Sequence, residues 1–341
     1  MRDILAVRDA FADYPHVDTD ELFAGAGAAT EPFLTIAIPT HRRPGLLAEA
    51  VRSALAQDFD RPFEVVVVDD DATSTGHERL LRDVPEIAGA NFRYMRNREN
   101  LRDFGNHNRC IEVARGQWCT IHHDDDLIDP NFASSMFAQL DADSSIDGLV
   151  CQKRMLDCRE VKYVERRRRK VLRKIVEFGT FGFRRVRTIR ARQLFWSCVV
   201  GNTVGFIFRK QDALSLGGFY TEDYPSADYY FYARFANRFR LCEHRGIFAS
   251  IRIEVNVSRN LAVKLGAAER ALGLQRAYAG IAVPHYWRRL TPLILARQVT
   301  LQERIWRAGL TRQAASAHLG VNIPKDRPTL LYLLRGLMRG F

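Results

Sequence analysis

Closely paired cysteines are missing from this sequence, and their absence excludes two kinds of structure. The six cysteines among 341 residues are scattered and form no CxxC pair; they stand at positions 110, 119, 151, 158, 198 and 242. A disulfide framework or a zinc site would need closer and more regular spacing. We therefore expect reduced thiols, as in a cytosolic protein.

Long apolar runs are also missing. No stretch of about 18 uncharged apolar residues occurs, so no membrane-spanning helix is predicted, and the N-terminus lacks the apolar core of a signal peptide. Hydrophobic residues make up 47% and charged residues 27% of the chain, which is ordinary for a globular protein and excludes a disordered or collagenous one. The sequence predicts a soluble cytoplasmic protein of about two domains.

The net charge of +11 is unevenly distributed. Residues 153–192 contain 16 Lys and Arg against 4 Asp and Glu, so the rest of the chain sums to about −1. Such a basic stretch could be a solvated charged face, a nucleic-acid site, or a contact for an anionic acceptor or membrane surface. No nucleic-acid-binding module accompanies it, whereas residues 327–341 are predicted to form an amphipathic helix. We therefore favour the anionic acceptor or membrane surface and expect no nucleic-acid partner.

The first 150 residues alternate between strand and helix patterns. Apolar, β-branched runs predict strands, and apolar residues at helical spacing after Pro44 predict a helix. The predicted strands are 33–40, 63–71, 92–95 and 117–126, and the predicted helices are 44–57 and 105–114. This alternation predicts an α/β domain with a parallel sheet.

Polar clusters follow three of these strands: PTHRR the first, DDD the second and HHDDD the fourth. Because ligands of parallel α/β sheets bind at the carboxyl ends of the strands, we expect the clusters to share one crevice. Two acidic clusters in one crevice repel each other unless a divalent cation lies between them. Carboxylate oxygens suit Mg²⁺ or Mn²⁺, with substrate phosphates completing the shell. Taken alone, each cluster could equally be a solvated turn.

In combination these motifs resemble a known family. IPTHRRPGLLAEAVRSALAQ, EVVVVDDDATSTG, an N-x₇-N-x₇-G spacing and WCTIHHDDDLIDP follow one another as in a family 2 glycosyltransferase, and GGFYTEDYPSADYYFYARF is similar to that family's acceptor-side segment. The resemblance covers residues 33–260. It implies the GT-A fold, which is an α/β, Rossmann-like, mixed but mainly parallel sheet flanked by helices.

The domain organisation that follows has three parts. Residues 1–31 form an N-terminal leader, predicted to contain a helix. Residues 32–260 form the GT-A domain, with a nucleotide-binding half (32–152) and an acceptor half (153–260) that includes the basic insert 153–192. Residues 261–341 form a helical C-terminal extension that ends in the amphipathic tail.

The resemblance also implies a donor site. Three residues after the first strand would line the nucleotide pocket: Pro39, Thr40 and Arg42. Asp70 would accept a hydrogen bond from a pyrimidine ring, with Asp69 at the strand edge and Asp124 nearby. Asp125, five residues before Pro130, matches the position that ligates the metal, Mn²⁺ or Mg²⁺. His123 stands where the family often has aspartate, and it could bind ribose, phosphate or the metal.

On the acceptor side, Asp228 matches the family's catalytic base. The family inverts the anomeric centre by direct displacement, so one carboxylate is sufficient to deprotonate the acceptor hydroxyl. Two alternatives remain at this stage: Asp228 could be the N-cap of a helix, or Glu222 or Asp223 could be the base.

The sequence thus predicts a metal-dependent hexosyltransferase. It would move a sugar from a UDP- or other pyrimidine-nucleotide sugar to a glycan or lipid-linked hydroxyl in cell-envelope or extracellular polysaccharide biosynthesis. The expected location is the cytoplasm, with a peripheral position on the inner face of the membrane if lipid is bound. The alternatives are a non-catalytic sugar-nucleotide-binding module and, less favoured, a basic nucleic-acid-binding protein.

Overall fold

The fold is described from a computed structural model, which covers residues 4–159, 184–254 and 259–327. Most of the basic insert and the amphipathic tail, on which two of the predictions above depend, lie outside these described residues.

The described chain contains strands and helices with the following bounds. The strands are β1 (Thr19–Ala24), β2 (Leu34–Thr40), β3 (Phe63–Asp69), β4 (Phe92–Asn97), β5 (Trp118–Ile121), β6 (Leu127–Ile128), β7 (Gly148–Asp157), β8 (Val186–Thr188), β9 (Phe206–Arg209) and β10 (Leu241–Ile253). The helices are α1 (Pro44–Leu55), α2 (Gly76–Asp83), α3 (Arg102–Val113), α4 (Phe132–Ala142), α5 (Ala191–Trp196), α6 (Lys210–Ser215), α7 (Ala227–Arg238), α8 (Leu261–Tyr278), α9 (Thr291–Trp306) and α10 (Arg312–Leu319).

One mixed sheet organises the molecule. Its strand order is β1-β4-β3-β2-β5-β9-β7-β10-β6, and β8 also pairs with β10. The strands β4, β3, β2 and β5 run parallel, as the alternating pattern predicted, and β9 joins them antiparallel to β5 and β7. The carboxyl ends of the parallel strands therefore lie at one edge, which is where the candidate site is found.

Strand β3 illustrates that helices cover both faces of this sheet. Its four consecutive valines are all fully buried, as in strands of parallel sheets that helices cover on both sides. Val65 and Val67 share a core cluster with residues of α1, whereas Val66 and Val68 share the opposite cluster with residues of α3. The α/β fold class predicted from the sequence is confirmed.

Two of the predicted elements are wrong in part. The leader was expected to contain a helix, but residues 19–24 form an edge strand that pairs antiparallel with β4, beside two short 3-10 turns at residues 11–13 and 26–29. The fourth strand was expected to run to residue 126, but it ends at Ile121. The HHDDD segment is consequently a loop beyond the sheet. Its side chains therefore need not alternate between two faces, as they would in a strand.

The C-terminal extension is helical where it is described. Helices α8, α9 and α10 enclose a small core cluster of their own that includes Leu272, Leu295 and Val299. Residues 259–327 contain 12 Lys and Arg against 3 Asp and Glu, so this extension is a second basic region beside residues 153–192. Among the described helices, none combines the length and the apolar character needed to cross a bilayer.

Candidate active site

The three polar clusters meet at the carboxyl edge of the sheet. Thr40 ends β2, and its main-chain oxygen accepts a hydrogen bond from Asp70 N, just beyond β3, at 3.0 Å. The Thr40 hydroxyl also donates to Asp124 Oδ2, beyond β5, at 2.8 Å. Pro39 precedes Thr40 in β2 and lies opposite Val68 of β3 in the strand register. The strand ends therefore form one connected crevice, as expected.

Asp69 and Asp70 are both buried at the end of β3, with different partners. Asp70 Oδ1 accepts hydrogen bonds from Asn97 Nδ2 and from Leu101 N, each at 2.8 Å. Burial raises the pKa of Asp70, and these two bonds oppose the rise. Asp69 Oδ2 accepts from the hydroxyl of Tyr94 at 2.5 Å. Asp70 is thus fixed in place by the last residue of β4 and by the chain that follows it, whereas Asp69 is bound to the side chain of Tyr94 within β4.

The two adjacent arginines of the PTHRR segment point to different acids. Arg42 has a positive φ of 57°, and its Nε donates to Asp71 Oδ2 at 2.6 Å on the exposed side of the crevice. Arg43 Nη1 lies 2.9 Å from Asp125 Oδ2 and 3.5 Å from Asp124 Oδ1. Sequence reasoning singled out Arg42 and missed Arg43, because nothing in an RR pair shows which residue turns inward.

A compact group of possible metal ligands lies in the HHDDD loop. One ligand atom each from His123, Asp125 and Asp126 fall within 4.8 Å of one another. His123 and Asp125 were predicted from the sequence, and the structure adds Asp126. His122, the neighbouring histidine, is instead buried against Ser53, with Nε2 3.2 Å from the Ser53 hydroxyl.

A second loop, residues 197–205 between α5 and β9, contacts this group of possible metal ligands through side-chain hydrogen bonds. Asn202 Nδ2 donates to Asp126 Oδ2 at 2.8 Å, and the Thr203 hydroxyl lies 2.9 Å from His123 Nε2. Arg252 N, from β10, donates to Asp126 Oδ1 at 2.9 Å. Sequence reasoning missed Asn202 and Thr203, since no motif connects them with His123, which lies 79 and 80 residues earlier.

Burial is the largest cause of the pKa shifts of His123, Asp124 and Asp126. It raises the pKa of Asp124 to about 6, and burial together with Asp125 raises the pKa of Asp126 to about 7. Burial also lowers the pKa of His123 well below its ordinary value. A neutral imidazole and closely spaced carboxylates are the state in which such side chains bind a metal.

The donor set fits a divalent cation. Imidazole with carboxylates suits Mn²⁺, and carboxylates with phosphate oxygens suit Mn²⁺ or Mg²⁺. Burial raises the pKa of both Asp125 and Asp126, and the charge of Asp125 raises that of Asp126 further. A cation beside them would favour the ionised form of both carboxylates. The guanidinium of Arg43 is a positive charge that already lies beside Asp124 and Asp125.

Asp228 lies in the first turn of α7, not at its N-cap, which is Ser226. The N-cap alternative for Asp228 is therefore wrong. Its Oδ1 accepts from Tyr229 N at 2.7 Å, and burial raises its pKa to about 7. Lys153 interacts electrostatically with both Asp228 and Asp126, so one cation connects the candidate base with the candidate metal group.

The two alternative bases are engaged elsewhere. Glu222 accepts from Arg8 Nε at 2.9 Å on the exposed surface. Asp223 is buried, with Oδ2 3.6 Å from Arg234 Nη1, in a contact that joins the 3-10 turn at residues 221–223 to α7. These positions favour structural roles for both carboxylates.

Comparison with known proteins gives the family context for this geometry. A family model described as Glycosyl transferase family 2 matches residues 35–215, which is more than half of the chain.

Two curated proteins are similar in sequence. An uncharacterized protein of Mycobacterium tuberculosis (strain CDC 1551 / Oshkosh) is 28% identical over 228 residues, which are 62% of this chain and 64% of that protein. WcaA of Escherichia coli (strain K12), named for glycosyl transfer in colanic acid biosynthesis, is 33% identical over 107 residues, 31% of this chain and 37% of its own length. The chain thus matches less than two thirds of the length of either relative.

Two solved structures share the fold. Staphylococcus aureus TarS 1–349 in complex with UDP superposes with a TM-score of 0.54 at 15% identity, covering 83% of this chain and 74% of that one. The mannosyltransferase PcManGT from Pyrobaculum calidifontis, in complex with GDP-Man and Mn²⁺, also gives 0.54, at 17% identity, covering 94% and 83%. At these identities the likeness confirms the fold alone.

Proposed function

The chain belongs to glycosyl transferase family 2, and from this premise we propose that it transfers a hexose from a nucleotide-diphosphate sugar to a hydroxyl group, with inversion and with a divalent metal. The observation that carries the proposal is the group of His123, Asp125 and Asp126 at the carboxyl edge of the sheet, beside the cation of Arg43. We favour a pyrimidine nucleotide such as UDP. The similar TarS structure contains UDP, and the similar mannosyltransferase structure contains GDP-Man and Mn²⁺.

The donor would lie along the strand ends. In this proposal Asp70 accepts a hydrogen bond from the base ring, Asp69 supports that position from the strand edge, and Asp124 lies next to the ribose and diphosphate. The first loop contributes the remaining wall of the pocket, with Pro39, Thr40 and Arg42. Arg43 adds a guanidinium that can donate two parallel hydrogen bonds to a phosphate, as arginine commonly does.

The metal would be held by Asp125 and Asp126, with His123 as the nitrogen ligand. When bound, Mn²⁺ or Mg²⁺ neutralises the charge that develops on the departing diphosphate. The protein's own contribution is to fix the carboxylates. Asn202 and Arg252 fix Asp126 through hydrogen bonds, and Arg43 Nη1 donates to Asp125 Oδ2 at 2.9 Å.

Asp228 would remove the proton of the acceptor hydroxyl. A raised pKa of about 7 suits a general base at neutral pH, because the carboxylate form is available and is also basic enough to accept the proton. A single displacement with one base gives inversion at the anomeric carbon.

We propose that the acceptor is a glycan or a lipid-linked molecule in cell-envelope or extracellular polysaccharide biosynthesis, and that the protein contacts an anionic membrane surface. The turn between α8 and α9 supports this contact. It exposes Ile281 at 69% and Tyr286 at 66%, next to the exposed Arg288 and Arg289. Apolar and aromatic side chains beside arginines are typical of surfaces that bind anionic lipid.

Calorimetric titration with UDP and with GDP, each with and without Mn²⁺, tests the donor side. We expect UDP to bind with Mn²⁺, and Asp125→Ala to weaken binding at least tenfold, because one metal ligand is lost. Asp141→Ala is the matched control, since Asp141 is an exposed aspartate of α4 paired with Arg61. Absence of binding by either nucleotide would refute the proposal.

Product detection against a panel of nucleotide sugars then separates the enzyme from a non-catalytic binding module. Sugar transfer or sugar-nucleotide hydrolysis above the Asp228→Asn background supports the enzyme. Binding of UDP without any turnover across the panel supports the module.

A further inference from the structure

Lys153 joins two parts of the crevice that are far apart in sequence. It lies in β7, and its Nζ donates to Val200 O and to Asn202 O, each at 2.6 Å. Within the described part of the chain, no carboxylate oxygen lies within 4.0 Å of this ammonium group. Its partners are two main-chain carbonyls of the 197–205 loop, and burial lowers its pKa. A desolvated lysine without a close counter-ion costs free energy, so this contact needs an explanation beyond stability.

The contact with Lys153 falls in a loop that contains two glycines with left-handed conformations. Gly201 and Gly205 have positive φ angles of 75° and 74°, so two of its positions have little intrinsic preference for one conformation. Between them, Asn202 donates to Asp126 and Thr203 contacts His123. Lys153 bonds to the main chain of Asn202 itself, which fixes the residue that reaches the candidate metal group.

The ammonium group also acts through its charge. Asp126 and Asp228 each interact with Lys153 electrostatically. Asp103 of α3 and Lys264 of α8 also interact electrostatically with Asp228. Lys153 is the cation among them that also reaches the candidate metal group.

We propose that Lys153 is a positioning residue that holds the 197–205 loop against His123 and Asp126. This inference rests on the proposed function only in treating those two side chains as metal ligands. Replacing Lys153 would release Asn202 and Thr203, and the ligands would lose the hydrogen bonds that orient them. Loss of such outer contacts lowers metal affinity by about 10-fold to 100-fold.

The chain provides a matched control in Lys210. Its Nζ also bonds to two main-chain oxygens, those of Glu112, at 3.1 Å, and Ala114. Lys210 N donates to Gln117 O, just before β5, so this lysine lies at the opposite edge of the sheet from the HHDDD loop. Lys210→Met therefore removes the same kind of contact at a place where no ligand is proposed.

The experiment compares Lys153→Met, Lys153→Arg and Lys210→Met with the wild type in the full chain. Mn²⁺ affinity is measured from the electron paramagnetic resonance signal of the free ion, and hydrogen exchange is followed at the amides of residues 197–205. For Lys153→Met we expect at least tenfold weaker Mn²⁺ binding and faster exchange in this loop. Lys153→Arg should retain part of the affinity, because it keeps the charge and donors, and Lys210→Met should retain all of it.

Two results would overturn the inference: Mn²⁺ affinity in Lys153→Met equal to that of the wild type, or an equal loss in Lys210→Met. A wild-type chain that binds no Mn²⁺ overturns it as well. Neither readout uses a nucleotide. A wild type that binds Mn²⁺ but neither UDP nor GDP would refute the proposed function and leave the result for Lys153 in place.

Discussion

Arg43 contacts two aspartates of the HHDDD loop, although no sequence motif predicted this contact. Its guanidinium faces Asp124 and Asp125, and in the proposed complex it would turn to the diphosphate. We expect Arg43→Met to lower the affinity for UDP at least tenfold, since a charge-assisted phosphate contact is lost. The affinity for uridine should stay nearly unchanged, because Asp70 and the base pocket are untouched. Calorimetry with both compounds measures the difference.

The control for Arg43→Met is Arg79→Met, which removes an exposed arginine paired with Asp83 within α2. Such surface pairs contribute about 0–1 kcal/mol, so neither ligand should bind differently. An equal loss of UDP and uridine affinity in Arg43→Met would show that the residue supports the fold and not the phosphate.

The raised pKa of Asp228 predicts that kcat depends on pH. Burial raises its pKa to about 7, so the carboxylate that can accept a proton is the minor form below pH 7 and the major form above it. We expect kcat to rise with pH from about 5.5 and to level off above about 8. Asp228→Asn should reduce kcat by about 10² to 10⁴ and remove this rise, while UDP affinity remains, as measured by steady-state rates and calorimetry.

Asp228→Asn also distinguishes catalysis from a structural role. Asparagine keeps the shape of the side chain and can still accept a hydrogen bond from Tyr229 N through its amide oxygen. Activity within a few-fold of the wild type would exclude Asp228 as the base. A parallel fall in UDP affinity would indicate damage to the fold of α7.

The elements that the sequence predicted well are those whose pattern is local. Strands β2 and β3 are continuous β-branched and apolar runs, and the observed bounds differ from the predicted ones by at most two residues. Helix α1 begins at Pro44, as predicted, because proline fits the first turn of a helix. The convergence of Thr40, Asp70 and Asp124 followed from the direction of parallel strands.

What the sequence could not provide depends on contacts between distant segments. The strand β1 is short and half-exposed, so its pattern is weak, and its pairing with β4 is a tertiary event. The contacts of Asn202 and Thr203 with the HHDDD loop depend on how the 197–205 loop folds over the sheet edge. Arg43 and Arg42 differ because Arg42 takes a left-handed conformation, which the residue types do not indicate.

The N-terminal segment supports the chain that leads into α7. Ala10 N donates to Gly217 O at 2.9 Å, and a Cβ at Gly217 would lie 1.7 Å from the main-chain oxygen of Arg8. Gly217 also has a positive φ of 70°. We expect Gly217→Ala to destabilise the protein by about 2–4 kcal/mol, from left-handed strain and the clash together. The thermal midpoint and the rate of tryptic cleavage after Arg8 measure the effect.

Gly309→Ala is the matched control for this substitution. Gly309 has a similar φ of 76°, but a Cβ there would meet nothing within 4 Å. Only the strain of about 1–2 kcal/mol should remain, with no change in cleavage after Arg8. Equal effects of the two substitutions would contradict the contact between the N-terminal segment and Gly217.

At the scale of the whole molecule, the charge is polarised along the chain. Residues 1–152 contain 14 Lys and Arg against 27 Asp and Glu, whereas residues 193–341 contain 21 against 9. The acidic part carries the proposed metal and donor residues, and the basic part carries the proposed base and the helical extension. An anionic surface would therefore attract residues 193–341 and repel residues 1–152, and this difference would favour one orientation of the protein at such a surface.

This uneven distribution of charge predicts that the protein binds anionic lipid vesicles. We expect the protein to sediment with vesicles of 30% phosphatidylglycerol in phosphatidylcholine, and to be released by about 0.5 M NaCl, because salt screens the attraction. Each arginine near an anionic surface contributes about 1 kcal/mol, so Arg288→Gln with Arg289→Gln should weaken binding about 30-fold, while Ile281→Ser with Tyr286→Ser removes apolar anchoring. Val7→Ser, an exposed apolar position in the acidic part, should change nothing. Unaltered binding in both double variants would place the contact away from the α8–α9 turn.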